Sequence, residues 1–378
     1  MAIAGKRIWV DLEHQKGGIM LHSMFKRLEK DGAKLLYTAR DFGNNRQVLD
    51  ELGIPYKLIG KHGGATLYGK LEAHIERLRA LLPIVHEFNP DHSVSFGSVE
   101  HIRIAFGLGI KSIFFNDEPR SAAVARLTHA LAGHIITPMC IPIEEYYKLG
   151  ASKAQLIRYN GIDEIAWIAE YRPDPKVLDT MDVEKGQYVL MRTEMTHTEY
   201  LRGLMRPEET RISEFLPPIV KAFPNHKFFL LVRLPEQEAY LKKKLERVGG
   251  KNIIVTRFIP RIQDFMFYSA LVASGGGTIV RESSLMGIPS IEFFPGETAW
   301  QEHFLIDNGF PLSHIKDPAA IADKAMEILS GHQDPTRFTE GFKEKLKGYE
   351  NPAEICYDQI VRELGTEKSR SDPCSDIP

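Results

Sequence analysis

The sequence lacks the features that mark several classes of protein. Its three cysteines, Cys140, Cys356 and Cys374, have neither the spacing of metal ligands nor the density of a disulfide framework. Its apolar stretches are too short to span a bilayer, and residues 1–7 contain no signal-peptide core. With 48 Lys and Arg against 50 Asp and Glu, nothing indicates a nucleic-acid partner. We therefore expect a cytoplasmic protein.

Three nucleotide-binding motifs are also missing. There is no Gly-x-x-x-x-Gly-Lys-Ser/Thr loop, so ATP hydrolysis of that type is not indicated. No Gly-x-Gly-x-x-Gly follows the first predicted strand, which argues against a dinucleotide dehydrogenase. No Asp-x-Asp occurs anywhere, so a metal-bridged nucleotide-sugar site of that design is missing. We predict no metal site and no cofactor.

Strands and helices alternate along most of the 378 residues. Predicted strands run from residues 6–12 to 133–137 and again from 187–191 to 290–294, with amphipathic helices between them. This alternation is typical of α/β proteins with doubly wound parallel sheets, which bind ligands at the carboxyl ends of their strands. We predict two Rossmann-like domains facing each other across a cleft. The predicted boundaries are 1–165, a linker at 166–185, 186–335, C-terminal helices at 336–365, and a disordered tail at 366–378.

A glycine turn in the second half is the strongest candidate binding site. Ser274 ends a short apolar run, Gly275–Gly277 and Thr278 follow it, and a helical stretch continues to residue 286. Bare backbone next to a helix N-terminus suits a diphosphate, and Glu282 lies about one turn further on, where it could bind a ribose. The alternative is a tight turn with a solvated Glu282. The strand and polar loop that follow favour a ligand.

Arg192 and the run Phe258-Ile259-Pro260 follow two other strands of the same half. We expect Arg192 to point across the cleft from the glycines and to neutralise a phosphate. The run Phe258-Ile259-Pro260 could cover a flat base.

Candidate acid–base residues lie in the first half. His14 follows the first strand within Asp11-Leu12-Glu13-His14, ahead of Gly17-Gly18, and could act as a base; a charged surface turn is the alternative. Asp117 and Glu118 follow the fifth strand. Either could take a proton from an acceptor hydroxyl, or cap the helix that begins near Ser121. We favour Glu118 over Asp117.

The second half resembles the donor-binding half of MurG-like glycosyltransferases of the GT-B fold. The resemblance rests on residues 255–260, 274–278, Glu282, 287–289 and 295–302. The full sequence also resembles an uncharacterised, mainly archaeal family, DUF354, through residues 38–41, 52–56 and 275–278. That family is related to the same transferases and to non-hydrolysing UDP-GlcNAc 2-epimerases.

This resemblance implies a UDP-sugar donor in the second domain. It places Ile259 at the uracil, Gly276–Thr278 at the diphosphate, Glu282 at the ribose, and Gln301 and Glu302 at the sugar hydroxyls. His14 is the nearest counterpart of the MurG-like base, although Asp11-Leu12-Glu13 replace the glycines of that loop.

The epimerase relatives carry Gly-His-Arg where this chain has Met191-Arg192-Thr193. Glu118 is a counterpart of their acidic residue, but no histidine is in register unless His197 substitutes for it. We therefore predict a metal-independent glycosyltransferase acting on a UDP-sugar and an unidentified acceptor. The acceptor could be lipid-linked, with peripheral membrane contact. A UDP-sugar 2-epimerase and a non-catalytic nucleotide-sugar-binding protein are the alternatives, and the oligomeric state stays open.

Overall fold

The computed structural model describes residues 3–64, 66–196, 205–246, 248, 252–331 and 335–365, without the side chains of 335–340. The chain divides into two compact units. The first unit comprises residues 1–167 and 350–378, and the second comprises residues 168–349. His197 and the predicted disordered tail at 366–378 lie outside the described residues.

The first unit contains a parallel sheet, which has seven strands in the described part of the chain, in the order β3-β2-β1-β4-β5-β6-β7. Central strands are buried along their length because helices cover both faces, which explains their apolar runs. The strands are β1 Arg7–Leu12, β2 Lys34–Asp41, β3 Tyr56–Lys61, β4 His92–Phe96, β5 Lys111–Phe115, β6 His134–Pro138 and β7 Leu156–Tyr159.

The helices of the first unit connect these strands. They are α1 Gln15–Lys30, α2 Asn45–Glu51, α3 Leu67–Phe88, α4 Val99–Gly107, α5 Ala122–Thr128, α6 Ile143–Tyr147 and α7 Ile165–Ile168, with a short 3-10 helix at Lys153–Gln155. The apolar face of α1 contributes Met20, Met24 and Phe25 to the core beneath the sheet.

The second unit repeats this plan with a parallel sheet, which has six strands among the described residues, in the order β10-β9-β8-β11-β12-β13. Its strands are β8 Tyr188–Arg192, β9 Lys227–Leu231, β10 Ile253–Thr256, β11 Leu271–Ser274, β12 Ser290–Glu292 and β13 Leu312–His314. Its helices are α8 Lys176–Met181, α9 Ile212–Ala222, α10 Pro235–Leu245, α11 Ile262–Phe267, α12 Gly277–Leu285, α13 Trp300–Asp307, α14 Pro318–Ser330 and α15 Pro335–Leu346.

The last helix, α16 Pro352–Gly365, returns to the first unit and packs against α1. The Arg27 guanidinium lies over the Tyr357 ring, 3.7 Å from its centroid. Cys356 and Ile360 join Phe25 in the core of that unit. The thiol of Cys356 is therefore part of the interior, and burial raises its pKa well above the ordinary value.

Both sheets confirm the predicted α/β fold class, and each has a point where the strand order reverses. The reversal lies between β1 and β4 in the first unit and between β8 and β11 in the second. Doubly wound sheets bind ligands at such points, outside the carboxyl ends of the strands. No helix in the described residues is both long and apolar enough to cross a membrane.

Candidate functional site

The predicted glycine turn joins β11 to α12. Ser274 is the last strand residue, Gly276 is the extended N-cap, and Gly277 begins the helix. The Ser274 hydroxyl accepts a hydrogen bond from the Gly276 amide at 3.1 Å and so holds the turn, while the Thr278 side chain is exposed. Amides of a first helical turn have no acceptor within the helix, and together with the helix dipole they favour an anion.

Packing within the second unit also requires two of these glycines. A Cβ atom on Gly275 would lie 2.3 Å from Cγ of Glu194 and 3.0 Å from Cε2 of Phe293. A Cβ atom on Gly277 would lie 2.1 Å from Oε1 of Glu302. Glycine is therefore needed here whether or not a ligand binds. The case for an anion site depends on the charges around the turn.

Two arginines flank the turn. Arg192 ends β8 and is the register partner of Ser274. It thus lies beside the glycines in the same sheet, and the expectation that it points at them from across a cleft is wrong. Arg233 follows β9, where its Nε donates to the Thr193 carbonyl at 3.1 Å. Its Nη2 also lies close to the turn, since a Cβ atom added to Gly276 would be only 3.0 Å from it. Arg233 was not among the predicted site residues, although it lies two residues after the end of β9.

The Arg192 guanidinium is poorly satisfied by the protein. Its Nε is buried and has no hydrogen-bond partner in the part of the chain that the structure describes. Burial lowers the pKa of Arg192, and the carboxylate of Glu282 opposes this effect. A buried N–H group without an acceptor is costly, and an anionic ligand would supply the missing hydrogen bond.

Glu282 and Ile259 lie at the same edge of this sheet. Glu282, on α12, is largely buried, with its Oε1 3.4 Å from Nε2 of Gln263 on α11. Ile259 lies in the loop between β10 and α11 and is buried, whereas the neighbouring Phe258 is 55% exposed. The structure therefore gathers the residues predicted for base, ribose and diphosphate at one end of the second sheet.

Gln301 and Glu302, predicted to meet the sugar hydroxyls, are both buried at the start of α13. Glu302 forms a two-point ion pair with Arg281, with Nε–Oε1 at 2.7 Å and Nη2–Oε2 at 3.1 Å. Burial raises the pKa of Glu302, and Arg281 opposes the rise. A contact between Glu302 and a sugar hydroxyl would use the lone pairs that this ion pair leaves open.

His14, the predicted base of the first unit, is the N-cap of α1. Its Nδ1 accepts a hydrogen bond from the Lys16 amide at 3.3 Å, and its ring packs edge-to-face on Phe96. Burial lowers the pKa of His14 to about 4, and the Lys16 ammonium adds to the effect, so the ring is neutral near pH 7. With Nδ1 accepting, the neutral ring carries its proton on Nε2. His14 in this arrangement is a hydrogen-bond donor, not a base.

Asp117, the less favoured of the two adjacent acids, lies in a charged cluster at the strand ends. Nζ of Lys16 is 2.5 Å from Asp117, 2.8 Å from Asp163 and 3.8 Å from Glu164. Burial raises the pKa of Asp163 to about 7 although Lys16 opposes it, and Tyr159 donates a hydrogen bond to Asp163. The cluster thus contains one carboxyl group, that of Asp163, whose pKa is brought close to neutral pH.

Glu118, the acid that we favoured from the sequence, is paired with Arg120 and not with Lys16. Arg120 binds both of its carboxylate oxygens at 2.6 Å, and the side chains of Arg120 and Glu118 are 38% and 30% exposed. The two acids diverge because consecutive residues after a strand face different ways. Asp163 and Glu164 were not predicted, because they follow β7, a short strand that has no clear periodicity in the sequence.

The residues at the carboxyl end of β1 and the start of α1 mainly stabilise the fold. Burial alone would raise the pKa of Asp11, but the Arg77 guanidinium, 2.7 Å from Oδ1, outweighs this effect and the pKa is lowered. Gly17 and Gly18 lie inside α1, where added Cβ atoms would meet Phe96 at 3.2 Å and Leu49 at 2.5 Å. Both glycines therefore allow α1 to pack closely against its neighbours.

Among the described residues no group of three or more His, Cys, Asp and Glu side chains is arranged to hold a metal ion.

Comparison with known proteins places this geometry in a family. A family model described as "Protein of unknown function (DUF354)" matches residues 6–364. The uncharacterized protein MJ0665 of Methanocaldococcus jannaschii is 25% identical over 362 residues, covering 94% of this chain and 98% of that protein.

Solved structures with low sequence identity share the fold. S. aureus MnaA, solved with UDP, has a TM-score of 0.70 at 15% identity, covering 96% of this chain and 99% of that one. The UDP-GlcNAc 2-epimerase of M. jannaschii has a TM-score of 0.63 at 15% identity, covering 95% and 99%. Anabaena Alr3699/HepE, solved with UDP and glucose, has a TM-score of 0.65 at 15% identity, covering 96% and 100%. The fold is therefore GT-B-like.

Proposed function

This chain belongs to the DUF354 family of proteins of unknown function, and we propose that it is a metal-independent glycosyltransferase that uses a UDP-sugar. One observation carries the proposal. The N-terminus of α12 lies beside Arg192, whose buried Nε has no partner within the described residues, and beside Arg233. A diphosphate has the charge and the acceptor oxygens that these donors require.

Uridine is the proposed nucleoside because two of these structural neighbours were solved with UDP. S. aureus MnaA was solved with UDP, and Anabaena HepE with UDP and glucose. In this chain Ile259 would meet the uracil, Glu282 the ribose, and the amides of Gly276–Thr278 the diphosphate. Arg192 and the helix dipole would stabilise the negative charge that develops on the departing diphosphate.

The first unit would supply the base that removes the acceptor proton. We assign this role to Asp117, because it lies in the Lys16 cluster at the strand ends. His14 carries its ring proton on Nε2, and Glu118 is clamped by Arg120. An ionised carboxylate beside an ammonium can accept a proton from a hydroxyl and return it to solvent.

A 2-epimerase is the second candidate, and one observation favours it. Asp163, with a pKa raised to about 7 by burial, lies with Asp117 around one lysine, and a carboxyl group with a pKa near neutral pH can both donate and accept a proton. The residues at the end of β8 support the transferase instead, since Met191-Arg192-Thr193 contains no histidine. His197, the possible substitute, lies outside the described residues.

One set of reactions separates the candidates. The protein is incubated with UDP-sugars in D2O with EDTA, with and without hydroxyl acceptors, while UDP binding is measured by calorimetry. Acceptor-dependent release of UDP supports the transferase, whereas deuterium at sugar C2 without acceptor identifies the epimerase. UDP binding without turnover identifies a binding protein. If UDP does not bind, or binds equally to the Arg192→Met variant, the proposed donor site is wrong; exposed Arg206→Met is the matched control.

Peripheral membrane contact by the first unit stays part of the proposal, together with a lipid-linked acceptor. Its support is the first half of α3, where Leu67, Tyr68, Leu71 and Ile75 are 86%, 76%, 60% and 57% exposed. Apolar residues this exposed along one helix mark an interaction surface more often than a solvated face.

A further inference from the structure

A group of four side chains at the carboxyl ends of β1, β2 and β3 has no part in the donor site or the Lys16 cluster. Glu13 follows β1, Arg40 is near the end of β2, Phe42 follows β2, and His62 follows β3. These strands are neighbours in the sheet, so their ends converge. We call the four residues the ring platform.

Direct contacts join the members of the ring platform. Nη2 of Arg40 lies 2.6 Å from Oε1 of Glu13, and the Arg40 guanidinium carbon is 5.3 Å from the centroid of the Phe42 ring. The rings of Phe42 and His62 stack with centroids 4.7 Å apart and an interplanar angle of 28°. A charged pair and an aromatic pair therefore share one strand-end surface.

Part of this surface is exposed or unsatisfied. Phe42 is 42% exposed, a large value for an aromatic ring at a strand end. Nε of Arg40 is buried and has no hydrogen-bond partner within the described residues. Burial lowers the pKa of His62, and Arg40 and Lys70 add to the effect, so the aromatic pair is uncharged near pH 7. The surface offers apolar contact next to a donor and an acceptor.

The ring platform adjoins the residues proposed for catalysis. A Cβ atom on Gly97 would lie 3.7 Å from Nε2 of His14 and 3.9 Å from Oε2 of Glu13, so these two side chains converge on one point. His14 in turn caps the helix that carries Lys16, the partner of Asp117. A molecule held at the ring platform would lie on the same edge of the sheet as that carboxylate.

We propose that the ring platform is an acceptor subsite and binds a ring with several hydroxyl groups, a sugar or a cyclitol. This inference rests on the proposed transferase function. The C–H faces of such a ring pack against the electron-rich faces of aromatic side chains. Its adjacent hydroxyls both donate and accept, which matches the carboxylate of Glu13 and the guanidinium of Arg40. A flat aromatic substrate without hydroxyl groups would cover the rings, but it would leave Nε of Arg40 without a hydrogen-bond acceptor.

The test measures ring binding and UDP binding on the same intact protein. Saturation-transfer difference NMR titrations use methyl glucoside, methyl galactoside, N-acetylglucosamine and myo-inositol as probes, with phenol as the aromatic comparison. The variant is Phe42→Leu, and the matched control is Phe106→Leu, which changes an exposed phenylalanine of α4. We expect at least one hydroxylated probe to bind the wild type, and Phe42→Leu to weaken it about tenfold.

A second variant, Arg40→Lys, keeps the charge but loses the planar fork, so it should weaken the same probe while leaving UDP binding unchanged. The inference is overturned if no hydroxylated probe binds, if phenol binds in preference, or if Phe42→Leu behaves like Phe106→Leu. Failure of wild-type protein to bind UDP would instead overturn the donor site. The two failures are thus distinguishable.

Discussion

The Arg281 guanidinium holds the buried Glu302 carboxylate through two contacts, Nε–Oε1 at 2.7 Å and Nη2–Oε2 at 3.1 Å. Both side chains crowd the start of α12, since a Cβ atom on Gly277 would be 2.1 Å from Oε1 of Glu302 and 2.7 Å from Nη2 of Arg281. This ion pair therefore explains why residue 277 is a glycine.

Gly277→Ala should destabilise the protein, because the new methyl group must displace at least one member of the buried ion pair. Breaking a buried pair costs about 3 kcal/mol, so the free energy of unfolding in urea should fall by roughly that amount. Gly341→Ala is the matched control, since it is also helical and its Cβ atom meets nothing within 4 Å. Equal stability of the two variants would contradict this explanation.

Lys16→Met should destabilise the first unit in a pH-dependent way. Without the ammonium, Asp117, Asp163 and Glu164 face one another uncompensated, and Asp163 loses the charge that lowers its pKa, so its folded-state pKa rises further. A raised folded-state pKa means that stability is present at low pH and lost as pH rises. Urea unfolding should show a loss of about 3 kcal/mol near pH 8 and a smaller loss near pH 5.

The control for that variant is Lys26→Met, which removes an exposed lysine from the same helix. It should be close to wild type at both pH values. If Lys16→Met lost the same free energy of unfolding at both pH values, the lysine would stabilise the protein by packing and not by charge.

Glu13→Gln should stabilise the protein relative to wild type as pH rises. Burial raises the pKa of Glu13 from 4.5 to about 7, although Arg40 opposes the rise. The folded wild type therefore binds more protons than the unfolded chain between these values, and it loses stability as pH increases through about 7. Glutamine does not titrate and escapes this loss.

The gain of Glu13→Gln over that window has an upper limit of about 3 kcal/mol, since one pKa unit corresponds to about 1.4 kcal/mol. Unfolding free energies at several pH values measure it, with exposed Glu87→Gln as the control. A constant difference between variant and wild type across the window would mean that Glu13 is ionised throughout.

Leu67→Ser combined with Leu71→Ser should reduce binding to lipid vesicles without changing stability. Both leucines are exposed on α3, so their loss removes surface apolar area and no core contact. Co-sedimentation with phosphatidylglycerol vesicles measures the effect. The control pair is Phe106→Ser with Leu127→Ser, which are exposed elsewhere in the first unit. Wild-type protein that stays in the supernatant would remove the membrane proposal.

Most of the elements follow from local patterns. Strand β11 ends at Ser274 and strand β5 ends just before Asp117 and Glu118, as predicted, because in each an apolar run gives way to polar residues. Strands β7 and β13 were missed, since Leu156–Tyr159 includes an arginine and Leu312–His314 has only three residues. A short edge strand forms because the adjacent strand of the sheet has backbone N–H and C=O groups that are still unpaired. That adjacent strand is distant in the sequence, so local patterns do not reveal the pairing.

The sequence by itself determined the α/β class, the alternation of strands and helices, and the glycine turn before α12, because each depends on residues close together in the chain. Only the tertiary structure decided which polar groups meet. Lys16 reaches Asp117, 101 residues away, and Arg233 reaches Gly276. These contacts depend on strand order, which brings distant strand ends to one edge. Periodicity encodes which face of an element is buried, but not which elements become neighbours.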